Sequence, residues 1–283
     1  MVLMIVTVLV VLGLCFGSFV NALAWRLHEQ ADEKRRKKPD KRYLSQLSVR
    51  HGRSMCPECK HELSPKDLVP VLSWLSLRGR CRYCGKMISW QYPAVEVGLA
   101  TSFALSYIWW PQSFDTAQKS IFILWLAILT GLLALLVYDV RWKLLPNRLI
   151  YPLSGIAGLF ALIGIAIANH PLIVLLDVIG AVLIGGGLFF VLFQLSDGKW
   201  IGGGDVRLGW LLGLIVGTPA RSLLFIFLAA LGGSLFSLPL IASGRLKRTS
   251  VIPFGPFLII GAIVVQLFGN DILNWYRHTF ITF

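Results

Sequence analysis

Two kinds of side chain in this sequence have types and spacings that can do chemistry: paired cysteines and a few isolated aspartates. Cys56-Pro-Glu-Cys59 and Cys81-Arg-Tyr-Cys84 stand 21 residues apart. Two such pairs, each on a tight turn and brought together by the intervening hairpin, fit four thiolates around a tetrahedral Zn2+. A catalytic dithiol needs one such pair at a helix start, not two matched ones. Four thiolates leave no open position on the metal, so the ion is expected to organise its loop and take no part in catalysis. Cys15, alone inside an apolar run, reads as packing.

The aspartates invite a different chemistry. Asp139 closes one apolar run and is followed by Arg141, Lys143 and Leu145-Pro146-Asn147; Asp205 follows Gly202-Gly203-Gly204 at the mouth of another. Two carboxyls brought together at one depth can share a proton. The ionised member then activates water while the protonated one polarises a peptide carbonyl. Three glycines beside one of them let a substrate backbone come close. Taken singly, each aspartate has a plainer reading as a helix-end cap. An ion-coupled transporter also wants carboxylates near helix breaks.

The elements that must position these groups follow from composition. The 283 residues are 56% apolar and only 14% charged, with a formal net charge of +13 and a mean hydropathy of +0.71. A soluble domain carries roughly 25% charged residues, so a soluble globule and a disordered chain are both excluded. Five cysteines are too few for a disulfide-stapled scaffold. Residues 1–25 hold no charge, no basic segment precedes them and no small-x-small site closes them, which predicts a retained first helix and no cleaved signal. Further apolar runs fall at 93–110, 120–138, 149–168, 171–195, 208–217, 222–242 and 256–268. The expected fold is an all-α multi-pass membrane protein of about eight transmembrane helices, although the runs 208–217 and 256–268 are short. A small cytoplasmic zinc-ribbon-like domain is expected between helices 1 and 2. The expected organisation is a first span at 1–25, a basic four-cysteine loop at 26–92 and a seven-helix bundle at 93–283.

Orientation comes from Lys and Arg. With eight spans, the connections 26–92, 139–148, 196–207 and 243–255 hold 24 of the 27 basic residues, and the opposite set holds only Lys119, Arg221 and Arg277. That split puts the first set in the cytoplasm and both termini outside. The run Lys34-Arg35-Arg36-Lys37-Lys38 has no interleaved stacking aromatics. It therefore reads as a solvated arm near anionic headgroups, with no nucleic-acid partner. Half of the 14 acidic residues also lie in 26–92. Of the rest, Asp115 and Asp271 fall in outer loops, and Asp197 is expected to be solvated. Asp177 should snorkel outward or pair inside the bundle, and Glu96 should meet Arg26 or another base.

With these residues assembled, the chain resembles the type IV prepilin peptidase family, the bifunctional prepilin leader peptidase/N-methyltransferases. The resemblance is carried in order by Gly17-Ser18-Phe19-Val20-Asn21 with Arg26-Leu27, the two cysteine pairs with Leu68-Val69-Pro70-Val71-Leu72-Ser73 and Leu77-Arg78-Gly79-Arg80, Tyr92-Pro93-Ala94-Val95-Glu96, Asp139 with Leu145-Pro146, Gly202-Gly203-Gly204-Asp205 with Val206-Arg207-Leu208, and Pro253-Phe254-Gly255-Pro256. It implies a GxGD-type aspartyl protease of the bacterial inner membrane, with Asp139 and Asp205 as the catalytic pair. Such an enzyme removes the leader from prepilins and pseudopilins at the cytoplasmic face. It then methylates the new N-terminus with S-adenosylmethionine and serves pilus or type II secretion machinery indirectly. Gly79 is the position the resemblance offers for methyl transfer; a turn glycine in the zinc hairpin is the plainer reading. His28 stands where the family often has proline, Asn147 where it often has aspartate and Arg207 where lysine is usual. An ion-coupled transporter, or a secretion-assembly scaffold with a zinc docking loop, is the alternative.

Overall fold

An apolar chain away from water must satisfy its amides internally, and helices do so within one segment. In the computed structural model, which describes residues 1–49, 51–245, 247 and 252–280, the described residues form helices joined by turns and loops, with no strand and two isolated bridges. Arg50 and Arg248, both among the bases assigned to the cytoplasmic side, lie outside them. The chain forms two compact units, Met1–Ile108 and Trp109–Phe283.

The first unit is built on α1 (Val2–Arg35), with α2 (Lys41–Gln46), α3 (Leu72–Ser76) and α4 (Gln91–Ile108). Gly13 and Gly17, four residues apart, let α4 lie directly on α1. A Cβ on Gly13 would fall 2.4 Å from the Ala100 Cα, and one on Gly17 2.5 Å from the Glu96 Cα. Small residues at this spacing let apolar helices touch backbone to backbone.

The run Lys34–Lys38 is exposed, as expected of a solvated arm, but its first two residues are helical, because α1 continues ten residues past Trp25. Glu, Lys, Arg, Gln and Ala are good helix formers. His28 and Asp32 meet one turn apart at 3.3 Å, and Lys34 and Arg35 suit the negative end of the helix dipole. This extension carries the loop. Trp25 packs on Leu47 and Met55, Arg26 donates to the carbonyls of Ser48 and Gly52 at 3.1 and 3.0 Å, and Gln30 donates to that of Leu47.

The second unit holds α5 (Thr116–Trp142), α6 (Asn147–Ala166), α7 (Pro171–Val182), a π turn (Leu183–Gly187), α8 (Leu188–Leu195), α9 (Gly203–Val216), α10 (Pro219–Ala242) and α11 (Gly255–Phe280). The π turn widens the helix where it crosses α9, and glycines make the crossing possible. A Cβ on Gly209 would fall 2.3 Å from the Gly185 carbonyl oxygen, one on Gly213 2.7 Å from the Val182 Cα, and one on Gly186 2.4 Å from the Trp210 ring. Each of the eight apolar runs falls on a helix. Among the described residues six helical segments are long and apolar enough to cross a membrane, while α4 and α9 have 18 and 14 residues.

Candidate active site and metal centre

Asp139 lies in the last turn of α5, where Lys143 takes a left-handed conformation (φ 54°) and its amide closes the helix on the Asp139 carbonyl at 2.7 Å. The chain reverses through Leu144, Leu145 and Pro146 into α6. Asp205 lies in the first turn of α9, behind the N-cap Gly202. Its carboxyl accepts from the Gly202 amide, so it reaches back over the start of its own helix as the third residue of a capping box does. It is not itself the N-cap.

Three contacts hold these helix ends together. A Cβ on Gly204 would come 3.1 Å from the Leu145 Cβ, so the turn after α5 sits tightly on the first turn of α9. Arg207 donates to the Gly203 carbonyl at 2.9 Å and, through Nη1, to the Asn147 side-chain oxygen at the start of α6. Gly255, at the start of α11, meets Asp139 from the other side. Its amide donates to the carboxyl, and a Cβ there would lie 2.5 Å from Asp139 Oδ2.

Asp139 is only 5% exposed, its Oδ2 has no hydrogen-bond partner, and Asp205 lies near enough for its charge to act on it. The arrangement is a buried carboxyl with a vacant acceptor, a second carboxyl beside it, and the N-termini of α9 and α11 facing the pair with their positive dipole ends. Such a site can activate a water against a carbonyl.

The glycines before Asp205 differ. A Cβ on Gly204 would crowd Leu145, whereas one on Gly202 or Gly203 would make only ordinary contacts, the nearest at 3.5 Å. Gly255 was quoted in the Pro-Phe-Gly-Pro motif without a role. Its role could not be read from sequence, because it depends on α11 meeting α5 116 residues away.

In the first unit the four cysteine sulfurs all lie within 4.8 Å of one another, with Cys56 and Cys84 at 3.9 Å. A tetrahedron with Zn–S near 2.3 Å has edges of about 3.8 Å, so the donor set suits zinc. The two turns repeat one design. The Cys56 amide bonds the His61 carbonyl and the Lys60 amide the Cys56 carbonyl; the Cys81 amide bonds the Lys86 carbonyl and the Gly85 amide the Cys81 carbonyl. Lys60 (φ 57°) and Gly85 (φ 70°) fill the same left-handed position. Burial pushes the Cys56 thiol up to about 12. At Cys81 burial is outweighed by the amides of Cys84 and Tyr83, which bring it down to about 7. Lys86 pairs with Glu58 across the two turns at 2.8 Å, and Arg82 with Asp67 at 2.8 Å. The first is exposed at both ends and worth little in water, whereas the Asp67 side chain is only 3% exposed and also accepts from Ser64 and Tyr83.

Gly79 closes the helical turn of α3 with a left-handed φ of 68°. A Cβ there would press on the Trp74 ring at 3.0 Å, and Trp74 is itself fixed by donating to the Ile88 carbonyl. Glu96 does not meet Arg26. Its carboxylate accepts from the Val71 amide at 2.7 Å and from Ser18, while Arg26 is taken up by the two loop carbonyls described above. Burial of Glu96 under the loop that ends at Val71, itself at φ 59°, makes a backbone donor the nearer partner.

Residues 11–110 match the family described as Bacterial Peptidase A24 N-terminal domain, and residues 125–238 match the Type IV leader peptidase family. The chain is 31% identical over 273 residues to the Prepilin leader peptidase/N-methyltransferase of Bacillus subtilis (strain 168), covering 95% of this chain and 97% of that one. It is 33% identical over 282 residues to the protein of the same name from Pseudomonas aeruginosa PAO1, covering 94% and 91%. With the one from Pectobacterium carotovorum it shares 34% over 270 residues, 89% of each. No solved structure matches the chain.

Proposed function

Since the chain belongs to the type IV leader peptidase family, we propose that its prepilin cleavage is carried out by Asp139 and Asp205. The protein is a multi-pass membrane enzyme that removes the leader peptide and N-methylates the product. The single observation that carries the assignment is the buried, unpartnered Asp139 Oδ2 beside Asp205. One carboxylate takes a proton from water, whose oxygen adds to the scissile carbonyl. The other, protonated, donates to the carbonyl oxygen, and the amine leaves with a proton returned from the pair. Gly202 and Gly203 leave backbone open beside Asp205 for an extended substrate segment.

The substrates are prepilins and pseudopilins, processed at the cytoplasmic face of the inner membrane. Eight spans, with α4 and α9 as the short ones, put 24 of 27 basic residues on the aspartates' side and both termini outside. In topological terms residues 1–25 are the first span, 26–92 the cytoplasmic loop and 93–283 the remaining spans. The pilus or type II secretion machinery is served through its processed subunits. Homology does not favour the transporter and scaffold readings, since the named relatives cover nearly the whole chain.

Cys56, Cys59, Cys81 and Cys84 hold a structural Zn2+ that fixes the loop. S-adenosylmethionine, when bound, supplies an electrophilic methyl on a sulfonium. The first unit offers acceptors suited to such a cation: Asn21 Oδ1 is buried and unpartnered, its amide group donates to the Tyr92 carbonyl, and Glu96 follows one turn along α4. Gly79 acts in methyl transfer by holding Trp74 and the hairpin in register.

Mass spectrometry of a prepilin incubated with the enzyme, with and without S-adenosylmethionine, reports the cut and the methyl increment together. Asp139→Asn or Asp205→Asn should abolish the cut while the protein stays membrane-inserted and zinc-loaded. Cleavage by either variant removes the pair from the mechanism.

A further inference from the structure

At the end of the second unit away from the aspartates lies a cavity of about 480 Å³. Gln118 lines it from the first turn of α5, whose last turn carries Asp139, so the two ends are about 30 Å apart along the helix. The exposed rings of Trp109, Trp275 and Tyr276 stand at this end, as aromatic side chains do at a membrane surface. The cavity exists because α9 is short. Fourteen residues reach about 21 Å through a hydrocarbon layer of about 30 Å. On the eight-span reading proposed above, the turn through Gly217 and Thr218 therefore stops below the surface, and the space beyond it is lined by Ile121, Phe160, Val178 and Ile215.

That space is not plainly apolar. Five buried side-chain polar atoms among the described residues have no hydrogen-bond partner, and three of them line this cavity: Trp110 Nε1, Gln118 Oε1 and Gln266 Oε1. Gln118 and Gln266 are 9% and 8% exposed. Arg221 joins them. Its Nη1 donates to the Val216 carbonyl at the end of α9 at 3.3 Å, and none of the ion pairs among the described residues involves it. A guanidinium without an acid, one indole N–H and two amide oxygens at a membrane surface are a set of complementary vacancies.

We propose that this cavity binds the headgroup of a phospholipid from the leaflet opposite the aspartates. Arg221 and Trp110 donate to the phosphodiester oxygens, Gln118 and Gln266 accept from the ammonium or hydroxyl groups beyond the phosphate, and the aliphatic lining takes the first acyl carbons. One guanidinium matches the single charge of a diester better than the larger charge of free phosphate. The volume falls in the range of sites that bind small molecules, about 300–1,000 Å³. The lipid ties α5, α10 and α11 together where α9 does not reach, and its site is separate from the peptidase chemistry.

The test is native mass spectrometry of the full-length protein in detergent, titrated with palmitoyl-oleoyl phosphatidylethanolamine, with the matching phosphatidylglycerol, and with diacylglycerol, which lacks the phosphate. Inorganic phosphate is added as competitor. One phospholipid should bind per chain, diacylglycerol should not, and millimolar phosphate should fail to displace the lipid. Arg221→Gln, which keeps a donor for the Val216 carbonyl, should weaken binding about tenfold to a hundredfold, with leader cleavage unchanged as the check of folding. If that variant proves unfolded, Gln118→Leu with Gln266→Leu carries the test and should weaken the ethanolamine lipid about tenfold. Equal binding of diacylglycerol, unaltered binding by the folded variant, or displacement by phosphate overturns the proposal. The last result would make free phosphate the occupant, and failure to bind any probe would leave the cavity to water alone, which also overturns it.

Discussion

Gly255→Ala is the sharpest perturbation of the proposed active site. The added carbon would lie 2.5 Å from Asp139 Oδ2 and 3.3 Å from its Cγ, roughly 1 Å inside ordinary contact for the oxygen. Asp139 is fixed at the end of α5 and buried, so either its carboxyl swings away or the start of α11 retreats with the Gly255 amide. Misplacing a reacting group by about 1 Å costs on the order of 100-fold in rate, or about 2.7 kcal/mol of barrier. Overpacking costs about 1–3 kcal/mol of stability as well. The Ala side chain is otherwise favourable in a helix, so propensity does not account for any loss. The assay is the initial rate of leader cleavage read by mass spectrometry, alongside thermal melting and zinc content. The expected result is a fall of about 100-fold in kcat with zinc retained. A variant cleaving within threefold of the parent refutes the placement of Asp139 against Gly255. Gly203→Ala is the internal control: its Cβ would meet nothing closer than the Arg207 guanidinium at 3.5 Å and would not touch either aspartate, so folding should be untouched, and any loss of rate then reports substrate backbone at that surface.

Cys59→Ser should release zinc, measured by metal analysis of the purified protein, and lower methylation more than cleavage, because the aspartates belong to the second unit; equal loss of both would mean that the loop also holds the prepilin. Gly17→Val should separate α1 from α4, since backbone at 2.5 Å cannot yield, and the thermal midpoint should fall with methylation; an unchanged midpoint would be inconsistent with the packing described. Burial, and then the hydrogen bond that its hydroxyl donates to Glu29 at 2.9 Å, raise Tyr43 to about 12. A raised folded value means that this contribution is full below the unfolded value near 10 and is lost as pH rises through about 12. Ultraviolet titration of Tyr43→Phe should therefore lose one late-ionising tyrosine relative to the parent; an unchanged late phase would reassign it.

Much of the candidate site was legible along the chain because the residue types it uses are rare there. Acidic residues are scarce outside the loop, so Asp139 and Asp205 stood out, and the matched cysteine pairs needed only short-range turns to bring four sulfurs within 4.8 Å. Arg26 and Glu96 were harder. Opposite charge suggested a pair, but each is enclosed by loop backbone that satisfies it, and which carbonyl or amide comes nearest is fixed by how the loop folds back on α1. The helical extension of α1 to Arg35 was not legible because the end of an apolar run does not mark the end of a helix; Trp25, Leu47 and Met55 form a small core beside it, while Lys34 and Arg35 stay exposed.

The sequence by itself determined that this is a helical membrane protein with its basic residues gathered in one set of connections, and it singled out two aspartates and four cysteines as the candidates for proteolysis and for metal. Periodicity, charge segregation and short spacings are local properties, and local properties survive without a fold. What only the tertiary structure decided is proximity between distant segments. Gly255 meets Asp139, Gly209 and Gly213 let α9 lie against the π turn, and Trp110, Gln118, Arg221 and Gln266 converge beyond the C-terminal end of α9. Those juxtapositions depend on missing Cβ atoms and on helix lengths in three dimensions, and no linear spacing records them.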